Sequence, residues 1–315
     1  MYADPGDSLY HCNLPPRAQG SQVAFYVRAS DNFDATSIYP TDAPDGAYRY
    51  SVGLTAISDI QFVDIGDDSS YYVGQAVNCT GIVTVGRGVY NDYVFVIQNG
   101  SGAWNGIFVY DPTESVPVEE GDSVTVSGKV MEYFGRTEIY LFVGCVTVHG
   151  NGYDLPAPAV VTTGTLSSTS TLAERYEGVL VRVENVTVTN DSLGFGEWEI
   201  NDGSGPCIVD DAAYYFYEPE DGDELVAVQG VLDYTYGDYK IEPRRSEDIV
   251  GPPVIFNLVY SPHAPTETDV VTVSATVKGY NPITSVKLFY STTGGASFDS
   301  TAMVSPDSVY TATIG

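Results

Sequence analysis

The chain has 315 residues and carries 13 Lys and Arg against 42 Asp and Glu, a formal charge of −29. A field of that sign repels phosphate backbones and anionic lipid, so nucleic acid is not an expected partner. No stretch approaches the eighteen or more apolar residues of a membrane span, which leaves the membrane out as well.

Val, Thr, Tyr, Gly, Pro, Asp and Ser dominate, with 25 tyrosines, while good helix formers are scarce; this is a composition of strands and turns. Four cysteines without Cys-x-x-Cys spacing argue against a zinc site. Asn78, Asn99, Asn185 and Asn190 each head an Asn-x-Ser/Thr acceptor, which fits an exported chain. Met1 is followed by neither a charged nor an apolar leader region, so any export signal is expected outside this sequence.

Residues 1–53 hold three predicted strands, 8–14, 23–29 and 47–52, between Pro-, Gly- and Asp-rich turns. Val23, Phe25 and Val27 alternate with Ala24, Tyr26 and Arg28, the pattern of a half-buried strand whose inward face needs a partner sheet. Tyr10, Tyr48 and Tyr50 belong to the same set, and Cys12 alternates in phase with Tyr10 and Leu14. Residues 54–71 read as a connector with a short strand at 60–63. Asp64, Asp67 and Asp68 there are a possible calcium site, although their spacing fails the EF-hand pattern.

Residues 72–150 read as a barrel with strands at 76–85, 93–98, 106–110, 123–131 and 137–148. Five short strands with a Gly-rich second hairpin match a five-stranded barrel of OB type. Cys79 and Cys145 fall in the first and fifth of these strands, which predicts either a disulfide or a pair of buried thiols. Residues 151–168 are a stiff, Pro-rich connector. A second barrel is expected over 169–250, with strands at 178–189, 197–200, 207–209, 224–232 and 239–242 and one helical turn at 172–176.

The two barrels share a repeat. GDSVTVSGKVMEYFGRTEI (121–139) returns as GDELVAVQGVLDYTYGDYKI (222–241), pairing Gly121 with Gly222, Gly128 with Gly230, and Gly135 with Gly237. In each copy a Gly-Asp turn starts a strand, a glycine lets it bend, and a Tyr-rich turn ending in Gly leads into the next strand. With YEGVLVRVENVTVTN and GEWEINDGSGPCIVDD, these stretches resemble the OB-fold modules attached to secreted bacterial nucleases and related multidomain surface proteins. The resemblance implies a fold and an extracellular or cell-surface setting. It carries no active site, because the nuclease chemistry of such proteins belongs to a separate domain.

Residues 251–315, with strands at 256–261, 269–277, 285–291, 302–305 and 308–314, resemble the first part of a bacterial immunoglobulin-like or fibronectin-like domain. Phe256, Val271, Val273, Leu288 and Tyr310 are its expected inward residues. Residues 23–52 look like the closing strands of such a domain, and Asp307-Ser308-Val309-Tyr310 echoes Asp7-Ser8-Leu9-Tyr10. The expected fold class is therefore all-β: two tandem five-stranded OB-type barrels flanked by partial Ig-like sandwich halves.

His11, His149 and His263 stand in separate segments with no nucleophile beside them, and no phosphate-cradling loop or His-Glu-x-x-His occurs, so no enzymatic activity is expected. The acidic run 218–224 reads as a solvated turn, with calcium the alternative. No cofactor is expected otherwise. The candidate binding surface is an aromatic face of the first barrel, made of Tyr93, Phe95, Trp104, Phe108 and Tyr110, on which sugars or bases would stack. Without a basic track it favours a glycan over single-stranded nucleic acid.

The function expected from these readings is a non-enzymatic extracellular structural protein that joins head to tail with copies of itself, the C-terminal strands of one completing the sandwich of the next. The alternatives are a piece of a longer secreted multidomain surface protein, and a nucleic-acid- or glycan-binding accessory module of a secreted nuclease.

Overall fold

The computed structural model describes residues 2–3, 10–113, 117–213, 217–279, 282–305 and 308–314. It is almost entirely β, with 48% strand and 5% helix, as the composition predicts. Of the expected strand 8–14, residues 8 and 9 lie outside the described residues, as do Asp7 and Asp307 of the terminal echo.

The first barrel is formed by β1 (Gln75–Val85), β2 (Val94–Gln98), β3 (Gly106–Tyr110), β4 (Ser123–Tyr133) and β5 (Arg136–Gly150). The sheet runs β1-β2-β3-β5-β4, and β4 returns to β1 to close it. Closure is antiparallel, from Ser123 opposite Ile82 to Lys129 opposite Ala76, whereas β3 and β5 run parallel through Glu138–Tyr140. Closing a sheet of five strands demands a sharp bend, and Gly128 supplies it beside a bulge in the β4–β5 ladder. A Cβ at Gly128 would stand 2.4 Å from the Tyr140 carbonyl oxygen.

The barrel interior is filled by alternate residues of every strand, among them Val77, Cys79, Phe95, Ile97, Ile107, Val109, Val126 and Ile139. Ile57 and Ile60 join them from a short helix, α1 (Ile57–Gln61). The connector strand expected at 60–63 is thus corrected: the i, i+3 spacing of the two isoleucines puts both on one helix face toward the core.

Two further strands extend this sheet. Gln22–Phe25 pairs antiparallel with Tyr48–Ser51, which runs parallel to the start of β1 through Arg49 and Tyr50. A separate ribbon joins Val27–Ser30 to Thr36–Tyr39. The face expected to be inward is left open among the described residues: Val23 is half-buried, but Phe25 is 39% and Val27 50% exposed.

The second barrel repeats the first with β6 (Leu180–Gly194), β7 (Glu197–Asn201), β8 (Pro206–Val209), β9 (Glu224–Thr235) and β10 (Asp238–Glu242). Its order is β6-β7-β8-β10-β9 with β9 back on β6, and β8 pairs parallel with β10. Gly230 holds the place of Gly128, its missing Cβ 2.2 Å from the Glu242 carbonyl oxygen. The helical turn expected before β6 is a 3-10 turn at Ala173–Tyr176.

The C-terminal region forms a three-stranded sheet from β11 (Val254–Ser261), β12 (Val271–Lys278) and β13 (Val309–Ile314), in that order. Lys287–Tyr290 pairs with Asp299–Ala302, three residues before the expected 302–305. The small core of this region is Val273, Ala275, Met303 and Ala312, with Val271, Leu288 and Tyr310 packed on it.

The chain divides into two compact units. One takes in Met1–Ala159, Thr171–Leu180 and Val231–Tyr239; the other takes in the remainder.

Candidate functional site

The five aromatic residues expected to share a binding face are separated by strand alternation. Phe95 lies in the barrel interior with Ile97, Ile107 and Val109. Phe108 points outward, yet it too is fully buried, packed with Val85, Val94, Val96, Leu180 and Val231. Both are corrections to the expected surface. Along β2 and β3 each residue has one neighbour inside the barrel and the next under a second apolar layer, so neither face meets solvent.

That second layer draws Leu180 and Val231 from later segments of the same unit, with Val85, Val89, Tyr90 and Leu155 packed beside them. The Leu180 amide donates to Gln98 Oε1 at 2.9 Å, and Gly106 and Gly178 meet backbone to backbone. A Cβ at Gly106 would lie 2.0 Å from the Gly178 carbonyl oxygen, and one at Gly178 would lie 2.8 Å from the Gly106 carbonyl carbon. Only glycine at both positions permits this approach.

Tyr93 and Tyr110 remain on the rim of the covered face. Their rings are 6.3 Å apart, and Tyr140, which the sequence reading missed, continues the row at 5.4 Å from Tyr110. The register explains the row, because Tyr140 stands opposite Tyr110 in the parallel β3–β5 ladder. Trp104 does not join it. It sits in the β2–β3 hairpin at φ 68°, donates its amide to the Arg175 carbonyl at 2.6 Å, and meets Phe62 edge-on at 5.5 Å.

Beside Phe108 lies a buried charge cluster that sequence reasoning also missed. The Arg136 guanidinium stacks 4.3 Å over the Phe108 ring and donates to Asp233 at 3.1 Å and to Glu138 at 3.1 Å. Burial opposes its charge, but Asp233 and Glu138 hold it protonated and raise its pKa. Glu177 accepts from the Thr137 amide at 2.9 Å, while Gln61 Nε2 donates to the Gly106 and Glu177 carbonyls. Tyr239 donates its hydroxyl to Glu174 Oε2 at 2.5 Å.

Burial pushes the Glu174 carboxyl up to about 7, with the Glu132 and Asp68 charges adding to it. Burial also drives Glu177 well above its ordinary value, helped by Glu174. The sequence holds one trace of it: in the repeat Glu132-Tyr133 aligns with Asp233-Tyr234, which sets an acid just before each of the two hairpins.

Of the two readings of Cys79 and Cys145, the disulfide is not formed, and Cys79 is a buried thiol that burial pushes up to about 12. Val126 of β4 pairs with Cys79 on one side and with Val146 on the other. The two cysteine strands therefore flank β4 roughly 10 Å apart, beyond disulfide reach. Among the described residues no three His, Cys, Asp or Glu side chains converge as a metal shell, and Asp64 instead accepts from the Tyr71 hydroxyl at 2.9 Å.

The residues expected to join copies fall in two places. Tyr10, Phe25, Val27 and Tyr48 are exposed and Tyr50 is half-buried, with Phe25 stacked on Tyr48 at 5.5 Å. Val273 is buried, and Phe256, Val271, Leu288 and Tyr310 are half-buried in the C-terminal sheets.

Over 150 residues the chain is 28% identical to endonuclease YhcR of Bacillus subtilis (strain 168), a match covering 41% of this chain and 12% of that protein. The chain therefore spans a small part of that relative's length. No protein family and no solved structure matches the chain. No helix among the described residues is long and apolar enough to cross a membrane.

Proposed function

We propose that this chain is a non-catalytic stretch of a larger extracellular protein, in which two OB-type barrels act as structural modules beside Ig-like ones. The observation that carries this reading is the second apolar layer over β2 and β3. The surface on which a five-stranded barrel of this type holds an oligomer is occupied here by the chain itself, through Phe108, Leu180 and Val231. The partial likeness to an endonuclease supports membership of a multidomain protein, and the charge of −29 speaks against the barrels as a nucleic-acid platform.

The test is fluorescence anisotropy of labelled oligo-dT at low salt, together with a gel assay for cleavage of single- and double-stranded DNA in Mg²⁺ and Ca²⁺. No binding and no cleavage are expected. Salt-dependent binding would instead make the chain a nucleic-acid accessory of a nuclease, and cleavage would make it an enzyme.

A second reading is head-to-tail self-association. It is favoured by the uncovered Phe25–Tyr48 face at the edge of the first unit's sheet. On this reading, mass photometry over increasing concentration yields a ladder of oligomers that Phe25→Asp abolishes. A single monomeric mass at every concentration excludes it.

A further inference from the structure

The second barrel buries a lysine, a residue that is almost never fully buried unless it is paired. Lys240 of β10 is 2% exposed, and its ammonium donates to Glu197 and, at 3.4 Å, to Asp210 Oδ2.

Strand register brings the three groups together. The parallel β8–β10 ladder sets Ile208 opposite Lys240, and Asp210, two residues on, returns to the same face. The antiparallel β7–β8 ladder pairs Trp198 with Val209, so one step farther Glu197 stands opposite Asp210. The Asp210 amide donates to the Ile241 carbonyl at 3.0 Å, which ties this position to β10 beyond the end of β8. All three residues belong to the second unit. The first barrel has no copy of the trio, because the repeat puts Glu138 where Lys240 stands.

Asp210 is arranged for more than charge pairing. Its other oxygen, Oδ1, accepts the Asp211 amide at 2.8 Å, the kind of donor that stabilises an oxyanion when a carboxyl carbon is attacked. Burial pushes the Asp210 carboxyl above its ordinary range, toward the protonated form that an amine can attack. Burial also opposes the charge on Lys240, but the hydrogen bond to Glu197 and the charge of Asp210 outweigh it and raise its pKa. Nζ must therefore shed a proton before it can react, and Glu197 is placed to take it.

We propose that Lys240 and Asp210 condense into an intramolecular amide, with Glu197 as the acid–base group. Nζ adds to Cγ of Asp210, and the N–C bond forms while charge develops on Oδ1 against the Asp211 amide. The C–Oδ2 bond then breaks and Oδ2 departs as water. Two of the three ammonium protons leave with it, relayed by Glu197, which ends as the carboxylate it began as. Ammonium and carboxylate become amide and water, with no oxidant and no cofactor. A step taken once per molecule can be slow, and alignment within one fold supplies an effective molarity of about 10⁵–10⁸ M. The amide bolts β10 to the end of β8, where the parallel ladder is only Ile208–Lys240 and Val209–Ile241. It stands whatever larger protein the chain belongs to.

The test is the intact mass of the full chain under denaturing conditions, followed by peptide mapping. The chain is expected to be lighter than its sequence by one water, with Lys240 and Asp210 in one branched peptide. Lys240→Arg and Asp210→Ala should each carry their full mass. Glu197→Gln, which keeps the shape but relays no proton, should slow closure by about 10²–10⁴-fold, read from the closed fraction at intervals after synthesis. A wild-type chain of full mass overturns the proposal, even if a variant fails to fold. So does a missing water that maps to a cyclic imide at an Asp-Gly step or to a Lys240–Glu197 link, one that persists in Lys240→Arg, or unslowed closure in Glu197→Gln.

Discussion

Arg136 is the residue on which the most buried charge depends. Removing it leaves Asp233 and Glu138 buried without their counter-ion, so Arg136→Ala should cost about 3–5 kcal/mol, read as a lower urea midpoint. The neighbouring acids give a pH dependence of the opposite sense to ordinary acid unfolding. A carboxyl whose folded-state pKa is raised holds its proton more tightly in the folded chain. Its stabilisation is complete below the unfolded value near 4.5 and is lost as pH climbs through the folded value, about 7 for Glu174. For Glu174 the ceiling is about 3 kcal/mol. Asp202, whose pKa is lowered by hydrogen bonds from Ser204 and Thr163 against the pull of burial, acts the other way and loses its contribution on acidification. Melting from pH 5 to pH 8 should therefore show a fall that Glu177→Gln and Glu174→Gln each flatten. An unchanged slope in both variants would remove these two acids as its source. Little of this cluster was legible in the sequence: Arg136 fell between two expected strands, Glu138 read as an ordinary strand position, and their partner Asp233 stands nearly a hundred residues on.

At the scale of elements, the barrel strands were legible to within about three residues at each end, except that β6 runs to Gly194 beyond its expected end at 189, because period-two alternation and Gly-Asp turns survive in both copies of the repeat. Gly128 and Gly230 were legible too, as bends where another strand's backbone passes within 2.5 Å of the missing Cβ. The helix Ile57–Gln61 was not, because five residues with two isoleucines fit a strand as well as a turn of helix. Nor was the fate of Phe95 and Phe108. Alternation divides each strand between two faces, but the outward face of Phe108 is covered in part by Leu180 and Val231, far along the chain, which leaves no local mark. Gly106 is the sharpest test of that cover. Gly106→Ala drives a methyl into the Gly178 backbone, which neither side can relieve by changing a rotamer, so a loss of more than about 3 kcal/mol is expected. A loss below about 1 kcal/mol would mean that the second layer is not closely packed in solution.

For the whole molecule, the surplus of acids dominates. With a formal charge of −29, self-repulsion opposes the compact state, and added salt shortens its range. The melting temperature should rise by several degrees between 10 mM and 500 mM NaCl, and thermal-shift measurements in NaCl and in KCl should agree. Dithiothreitol should leave it unchanged, because no Cys79–Cys145 bond exists to be reduced. Composition made the all-β class plain, and the repeat made the two barrels plain. The division of the chain into compact units was hidden, because it does not follow the barrel boundaries.

That division bears on how the protein is made. The first unit draws its last piece from Val231–Tyr239, so a ribosome that has finished β1 to β5 has not yet produced everything the unit contains. Until Val231 leaves the exit tunnel, Val94, Val96 and Phe108 lack it as a packing partner. The nascent chain carries that incompletely covered apolar strip through the synthesis of most of the second barrel. Over this interval the strip is a natural landing place for a holdase, and slow codons between the two barrels would prolong the exposure rather than give the first barrel time to finish.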